Sequence, residues 1–381
     1  MAKTVAVFPN PYLKDEWSTV MHPLLSTWAG SLKQAGWNVI GLNADDIFNT
    51  DLLKNMGPDA IIIHWSETLT TFFINRHPPG RILTSRLSRI IPLSIRKSIA
   101  NSITDSVKLM IDEWSCKLAD SKIRVFNQIH ELVSHSFNEP GLSECDAYLK
   151  KKIFELYTAF LTQEESSVQL VKNIYSSEKP YTITFLGDYT KFHGGRIPKN
   201  EAREILSLKK DLKIISYIGT ARKNRNPADV VKCFNNIAKE NDCLIVAGVG
   251  VGKYVPAKSE NIKIFDELLP NEKLRNIFCA SDYVINDAHE YMTSAVVRTA
   301  ISYHIPVIVR NYGASIKMAK EAVIFIEDKN DGLENAINYA LNLANEKYDM
   351  LVKAAELRNE ERPWSQYGKA FDDLFSNLSK K

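Results

Sequence analysis

The sequence predicts an α/β protein of two doubly wound domains, each a parallel sheet with helices on both faces. Short apolar runs such as TVAVF (4–8), AIIIHW (60–65) and IISYI (214–218) recur between stretches of helical period. Runs of that kind, apolar throughout rather than alternating, suit strands buried on both faces. At 381 residues the chain has ample material for two cores. A polar, proline-ended segment, Ser176-Ser177-Glu178-Lys179-Pro180, is the best linker in the chain. The domains are therefore expected at 1–178 and 179–362, followed by an amphipathic last helix within 363–381.

Composition narrows the function classes. Hydrophobic residues at 45% and charged residues at 24% are ordinary globular values, which excludes a disordered or fibrous chain. A net charge of +3 argues against wholesale nucleic-acid binding, so no nucleic-acid partner is expected. The five cysteines (Cys116, Cys145, Cys233, Cys243 and Cys279) are scattered and form no CxxC pair, as expected of reduced thiols in a cytoplasmic protein. The first apolar run stops at Pro9-Asn10, too short for a signal-peptide core, and no window reaches 18 uninterrupted apolar residues.

In the first domain, strands are expected over 4–8, 37–42, 60–65 and 123–129, with helices over 21–35 and 111–119. Ligands of a doubly wound sheet gather at the carboxyl ends of its strands. Asn10, His64, Trp65, Glu67 and His130 lie at such ends. A histidine there can contact substrate or act as acid or base, and it can equally be structural.

Between 68 and 104 the character changes, because no acidic residue occurs there. Arg76, Arg81, Arg86, Arg89, Arg96 and Lys97 are interleaved with Phe72, Phe73, Ile82, Leu83, Leu87, Ile90, Ile91, Leu93 and Ile95. Pro78-Pro79-Gly80 and Pro92 break the segment. Such an insertion either lies on an anionic membrane surface, arginines among the headgroups, or forms a helical hairpin with a solvated basic face.

In the second domain, the strand over 214–218 is followed by Gly219 and a loop carrying Arg222, Lys223 and Arg225 before a helix over 228–239. Two arginines ahead of a helix N-terminus can hold a diphosphate through charge-assisted, bidentate hydrogen bonds. No GxxxxGK[ST] is present, so this is not a P-loop. Further strands are expected over 244–247 and 262–265 and a helix over 271–280, with a helical pattern over 332–358. Between them, SDYVINDAHEYMTSAVVRTAISYHIPVIVRNYG (281–313) reads as strand, polar loop, helix and strand. Thr293 and Ser294 stand where that helix starts. Their hydroxyls and the free backbone N–H groups either receive a phosphate or simply cap the helix.

The order of these parts resembles a GT-B nucleotide-sugar-dependent glycosyltransferase of the kind that builds bacterial surface polysaccharides, and is similar to the family-4-like group. The resemblance covers nearly the whole chain. It rests on the Asn10-Pro11-Tyr12 loop, the strand ends His64-Trp65 and His130, Gly219 with Arg222 and Arg225, and Ala247-Gly248. It continues through Ser281-Asp282, the Thr293-Ser294 loop and Pro306-Val307-Ile308.

That resemblance implies two Rossmann-like domains facing each other across a cleft, the last helix crossing back onto the first domain. It places the acceptor with the first domain, at Asn10, Tyr12, His64, Trp65 and Glu67. The donor goes to the second, at Gly219, Arg222, Arg225, Tyr291, Thr293, Ser294, Ala295 and Thr299. Where the family often carries two glutamates eight positions apart, this chain has Tyr291 and Thr299, and Glu290 is one residue off the first. The family's glycine two residues before the proline is His304, and the glycine after Thr-Ser is Ala295. Glu290 is then the catalytic candidate of the donor side. For an inverting reaction the general base is sought among Asp15, Glu16, Glu67 and His130.

The expected reaction moves a sugar from a nucleotide-diphospho-sugar, a UDP-sugar, to a hydroxyl of a growing lipid-linked glycan of O-antigen, capsule or exopolysaccharide type. No cofactor and no metal are expected, since arginines would balance the leaving diphosphate. The expected place is the cytoplasm or the inner face of the cytoplasmic membrane, reached through 68–104. The alternatives are a non-catalytic GT-B-like glycan-binding or partner subunit and, more remotely, a sugar-nucleotide epimerase.

Overall fold

Runs of Val, Ile and Ala that bury every side chain set the frame of both halves of the chain. The computed structural model describes residues 3–12, 23–85, 88, 90–130, 132, 140–176, 178–221, 226–256, 260–288 and 292–380, without the side chains of residues 23, 67 and 140. The chain divides into two compact units: Met1–Phe185 with Ser365–Lys381, and Leu186–Trp364.

The first unit contains β1 (Thr4–Phe8), α1 (Pro23–Gln34), β2 (Asn38–Gly41), α2 (Ala44–Phe48), α3 (Thr50–Met56) and β3 (Ala60–His64). Next come α4 (Ser66–Arg76), α5 (Pro78–Thr84), α6 (Leu93–Asp120), β4 (Arg124–Gln128), α7 (Pro140–Leu156), β5 (Ala159–Thr162), α8 (Glu165–Tyr175) and β6 (Tyr181–Ile183). The six strands are parallel, in the order β2-β1-β3-β4-β5-β6. Strand order reverses between β1 and β3, so the crevice for a ligand opens at their carboxyl ends. β3 is buried along its whole length, as an apolar run covered on both faces requires.

β6 corrects the expected boundary. This strand, which a boundary at 179 would put in the second domain, pairs with β5 and forms the edge of the first sheet. Pro180, which has no N–H to donate, precedes this edge strand, and its carbonyl accepts the Phe160 N–H at 3.1 Å. The second unit begins at Leu186 instead.

The basic segment forms α4, α5 and the start of α6. Leu69, Phe73, Ile74, Leu83, Ala100 and Ile103 are buried, while Ile82, Ile90, Leu93 and Ile95 are exposed, Ile90 at 79%. Pro78 at the first position of α5 and Pro92 before α6 mark the two breaks.

The second unit contains β7 (Lys213–Ile218), β8 (Asp242–Ala247), β9 (Ile262–Phe265), β10 (Tyr283–Asn286), β11 (Val307–Arg310) and β12 (Val323–Ile326). Its helices are α9 (Lys199–Ile205), α10 (Ala228–Ile237), α11 (Asn271–Ala280), α12 (Ala295–Ser302), α13 (Gly313–Ala319), α14 (Gly332–Leu341) and α15 (Asn345–Glu360). The parallel order is β12-β11-β10-β7-β8-β9. In order of appearance that is 3-2-1-4-5-6, the Rossmann arrangement, with its switch point between β7 and β10. The helical pattern over 332–358 is two helices, α14 and α15, separated at 342–344.

The last helix, α16 (Gln366–Leu378), belongs to the first unit and packs on α1. Gly368 allows the approach: a Cβ there would stand 2.1 Å from the Ser31 carbonyl oxygen, and the Gly368 N–H donates to Ser31 Oγ at 2.8 Å. Phe371 and Phe375 meet Trp37 and Phe126, and Asp372 accepts from Lys3 Nζ (2.8 Å) and Trp37 Nε1 (3.1 Å).

Candidate functional site

In the second unit the switch point is framed by two glycines and a helix start. Gly219 (φ 152°) ends β7 and Gly248 (φ 136°) ends β8, both in backbone regions that favour glycine. A Cβ on Gly248 would lie 2.2 Å from the Gly219 carbonyl oxygen, so the two backbones touch where side chains would otherwise fill the space.

β10 ends in Asn286, 2% exposed, whose Nδ2 donates to Ser294 Oγ at 3.1 Å. Ser294 is the N-cap of α12, its Oγ accepting from the Val297 N–H at 3.3 Å. The hydroxyl thus caps its own helix. What remains for a ligand is the N–H groups of Ala295 and Val296, which no helix bond can satisfy, together with the positive end of the helix dipole. Ala295 is exposed, and Thr293 is half-buried.

Thr299 does not extend this surface: it is 4% exposed and its hydroxyl donates to the Ala295 carbonyl at 2.7 Å, inside its own helix. Arg310, not singled out from the sequence, stands at the end of β11 with Nε donating to the Asp287 carbonyl at 2.8 Å. A strand-end arginine beside the switch point is the signal that would have found it. Arg222, Arg225, Glu290 and Tyr291 lie outside the described residues, as do Asp15, Glu16 and the side chain of Glu67.

In the first unit the strand-end residues form one aromatic and imidazole stack. His64, with no exposed surface, lies on Trp28 (centroids 4.8 Å, 15° between planes). Its Nδ1 is 3.3 Å from His130 Nε2, and His130 Nδ1 is 3.0 Å from Gln163 Nε2. Trp65 lies on His130 and Tyr367 on Trp28. Both ring nitrogens of His130 thus stand within hydrogen-bond distance of a side chain. Trp65 adopts a left-handed φ of 47°, a strained conformation for so bulky a residue. Trp28 and Gln163 join the group from far away in sequence.

Beside this stack, a crevice of about 10 Å³, room for one water, is lined by Trp65, Asn127, His130 and Lys150. Lys150 pairs with Asp146 at 2.9 Å, both side chains being buried, and Thr70 Oγ1 donates to Asp146 at 2.8 Å.

Asn10 serves the loop. Its Nδ2 donates to Asn43 Oδ1 at 3.0 Å, its Oδ1 accepts the Tyr12 N–H at 3.0 Å, and its amide fills the space that Gly41 leaves open. Tyr12 is 46% exposed, with Lys33 Nζ 4.6 Å from its ring centre.

His304 has φ 61°, a left-handed backbone that glycine would adopt without strain. Arg196 Nη1 donates to its Nδ1 at 3.2 Å. Burial, and then the Arg196 charge, push the imidazole down to about 4.

A cavity of about 680 Å³ runs along edge strand β12 between α14 and α15, lined by Phe325, Tyr339, Leu343 and Met350 with Glu327 and Lys347 at its polar part. None of the strand-end residues singled out above lines it, so it lies apart from the switch point. Among the described residues no three His, Cys, Asp or Glu side chains form a group able to hold a metal. Among them, too, no helix is long and apolar enough to cross a membrane.

Two six-stranded parallel sheets in this order and spacing define the GT-B fold, and solved structures agree over the full chain. The sucrose-phosphate synthase of Thermosynechococcus elongatus is similar at a TM-score of 0.66 and 12% identity, with 99% of each chain covered. An α,α-trehalose-phosphate synthase (UDP-forming) from Burkholderia xenovorans, in complex with glucose-6-phosphate, gives 0.63 and 8%, with 99% of this chain and 100% of that one. The catalytic domain of starch synthase IV from Arabidopsis thaliana, bound to ADP and acarbose, gives 0.64 and 11%, with 100% of both. No protein-family model matches the sequence. No curated protein matches it either.

Proposed function

We propose that this chain is a glycosyltransferase that takes a sugar from a nucleotide-diphospho-sugar, a UDP-sugar, without a metal ion. The observation that carries the reading is the α12 N-terminus, capped by Ser294 and braced by Asn286, opening at the switch point of a Rossmann sheet. The charge on a leaving nucleoside diphosphate grows as the glycosidic bond breaks, and helix amides and guanidinium groups stabilise it. Arg310 stands beside that point, and the sequence carries Arg222 and Arg225 directly after β7.

The proposed acceptor is a hydroxyl of a lipid-linked bacterial surface glycan, of the group resembling family 4, with the protein peripheral on the inner face of the membrane. Exposed Ile90, Leu93 and Ile95, in a segment without an acidic residue, support an anionic lipid surface. The solved neighbours' names speak of sucrose phosphate, trehalose phosphate and starch, so glucose-6-phosphate belongs in any acceptor trial. A non-catalytic glycan-binding or partner role is favoured by one observation: the hydroxyl of Thr299 is taken up by its own helix.

The test is a thermal-shift screen of the protein against UDP, GDP, ADP, CMP and dTDP, with and without EDTA. A nucleotide at a hundred times its dissociation constant adds about 2.7 kcal/mol. Stabilisation by one nucleotide, insensitive to EDTA and lost in Arg222→Ala, supports the transferase. Absence of any shift favours the non-catalytic reading.

A further inference from the structure

The chain passes between its two units twice, after Phe185 and after Trp364. Both stretches of the second unit that adjoin these crossings are fastened to α12. Arg298, with no exposed surface, donates from Nε to the carbonyls of Leu186 (2.8 Å) and Gly187 (2.9 Å), and from Nη2 to Asn359 Oδ1 (2.6 Å). One turn further along, Ser302 Oγ accepts the Tyr189 N–H at 3.0 Å. The two stretches also hold each other: the Trp364 indole donates to the Asp188 carbonyl at 2.7 Å, and a Cβ on Gly187 would stand 2.5 Å from its ring.

A buried guanidinium is an expensive way to hold a fold together, because its charge leaves water. Among the described residues no carboxylate forms an ion pair with Arg298. Two further buried arginines, Arg358 and Arg362, lie on the same side of the unit, and burial followed by the Arg362 charge lowers Arg298 to about 9. A leucine or methionine of similar length would fill the space without that penalty, but it could not join three acceptors from two distant stretches of chain. The same helix starts at its N-cap Ser294, one turn before Arg298. An eight-residue helix moves as a body, so what orders its first turn orders the guanidinium anchored on it.

We propose that Arg298 is a positioning residue that couples an anion seated at the α12 N-terminus to both crossing stretches, 186–189 and 359–364. It touches neither donor nor acceptor and acts through the helix. The coupling rests on the nucleotide-sugar reading above, since it needs a diphosphate as the anion.

The experiment is amide hydrogen exchange on the full-length protein with and without UDP, GDP and ADP run in parallel, together with the thermal shift of each sample. In the wild type the bound nucleotide slows exchange severalfold in α12 and also in 186–189 and 359–364. In Asn359→Ala, which leaves the guanidinium in place, nucleotide affinity changes by less than about threefold. The response persists in α12 and is lost in 359–364. Arg298→Lys, a single donor in place of a fork, loses the response in both stretches and lowers kcat more than it raises the donor KM. A nucleotide that binds and protects α12 while leaving both stretches unchanged in the wild type overturns the coupling and leaves the transferase reading standing. Full retention of the 359–364 response in Asn359→Ala overturns it as well, and that variant decides if Arg298→Lys does not fold. If no nucleotide shifts the melting temperature, the transferase reading fails and the coupling fails with it.

Discussion

Trp65 lies flat on His130, ring centroids 4.2 Å apart and planes 6° from parallel. The indole reaches the imidazole from a left-handed backbone at Trp65, a conformation that costs energy for so bulky a residue. His130→Ala removes the stack and leaves buried Gln163 and His64 without the ring between them, a loss of about 1–3 kcal/mol. Thermal unfolding measures it. Trp65→Phe, which keeps a stacking ring, should lose markedly less than Trp65→Ala, and equal losses would show that stacking is not what holds His130.

Ser294→Ala removes the cap of α12 and the acceptor of the Asn286 amide. The expected loss is about 1 kcal/mol by denaturant titration. Ser294→Asp restores a capping oxygen but sets a negative charge where the diphosphate is proposed to sit. It should recover stability while weakening nucleotide binding at least tenfold, about 1.4 kcal/mol. Tight nucleotide binding in Ser294→Asp would move the donor away from this helix.

The pH dependence of stability carries a signature of His304. Its folded-state pKa of about 4 lies below the ordinary 6.5, so between these values the unfolded chain binds the proton and the folded chain does not. The contribution is fully present above about pH 6.5 and is lost as pH falls towards 4. Because the ring is only half-buried, solvent screening keeps the effect modest. His304→Gly, suited to the left-handed backbone, should flatten the slope of stability against pH in that window while leaving the protein folded at pH 7. Parallel slopes for the two proteins would assign the acid sensitivity elsewhere, His193 being the next candidate since burial lowers it too.

Gly368→Ala drives a methyl into the Ser31 carbonyl. Either α16 lifts from α1 or the pair splays, and the expected loss is about 1–3 kcal/mol. Limited proteolysis should then release residues beyond 365 earlier than in the wild type. An unchanged digestion pattern would mean the helices yield without parting.

Elements whose cause is local were legible from the sequence. The apolar runs of β1, β3, β7 and β10 have no other good interpretation than buried parallel strands, and Ser294 announces the start of α12 by its position before a helical pattern. The boundary at 179 was misplaced because Pro180 looks like a linker residue in a string, whereas proline is also what begins an edge strand. The stack around His130 could not be assembled beforehand: Trp28 comes from α1, Gln163 from beyond β5 and Tyr367 from α16, and no local pattern relates them. Arg298 was equally silent, since an arginine in an amphipathic helix is usually solvated and only the tertiary structure reveals its burial.

The pairing of Lys3 with Asp372 joins residues 369 positions apart. A sheet whose covering helix arrives last cannot shelter Trp28, Trp37 and Phe126 while the chain is being synthesised, so the half that emerges first is the half completed last. During that interval the aromatic groups of Trp28, Trp37 and Phe126 lack the cover that 366–378 supplies.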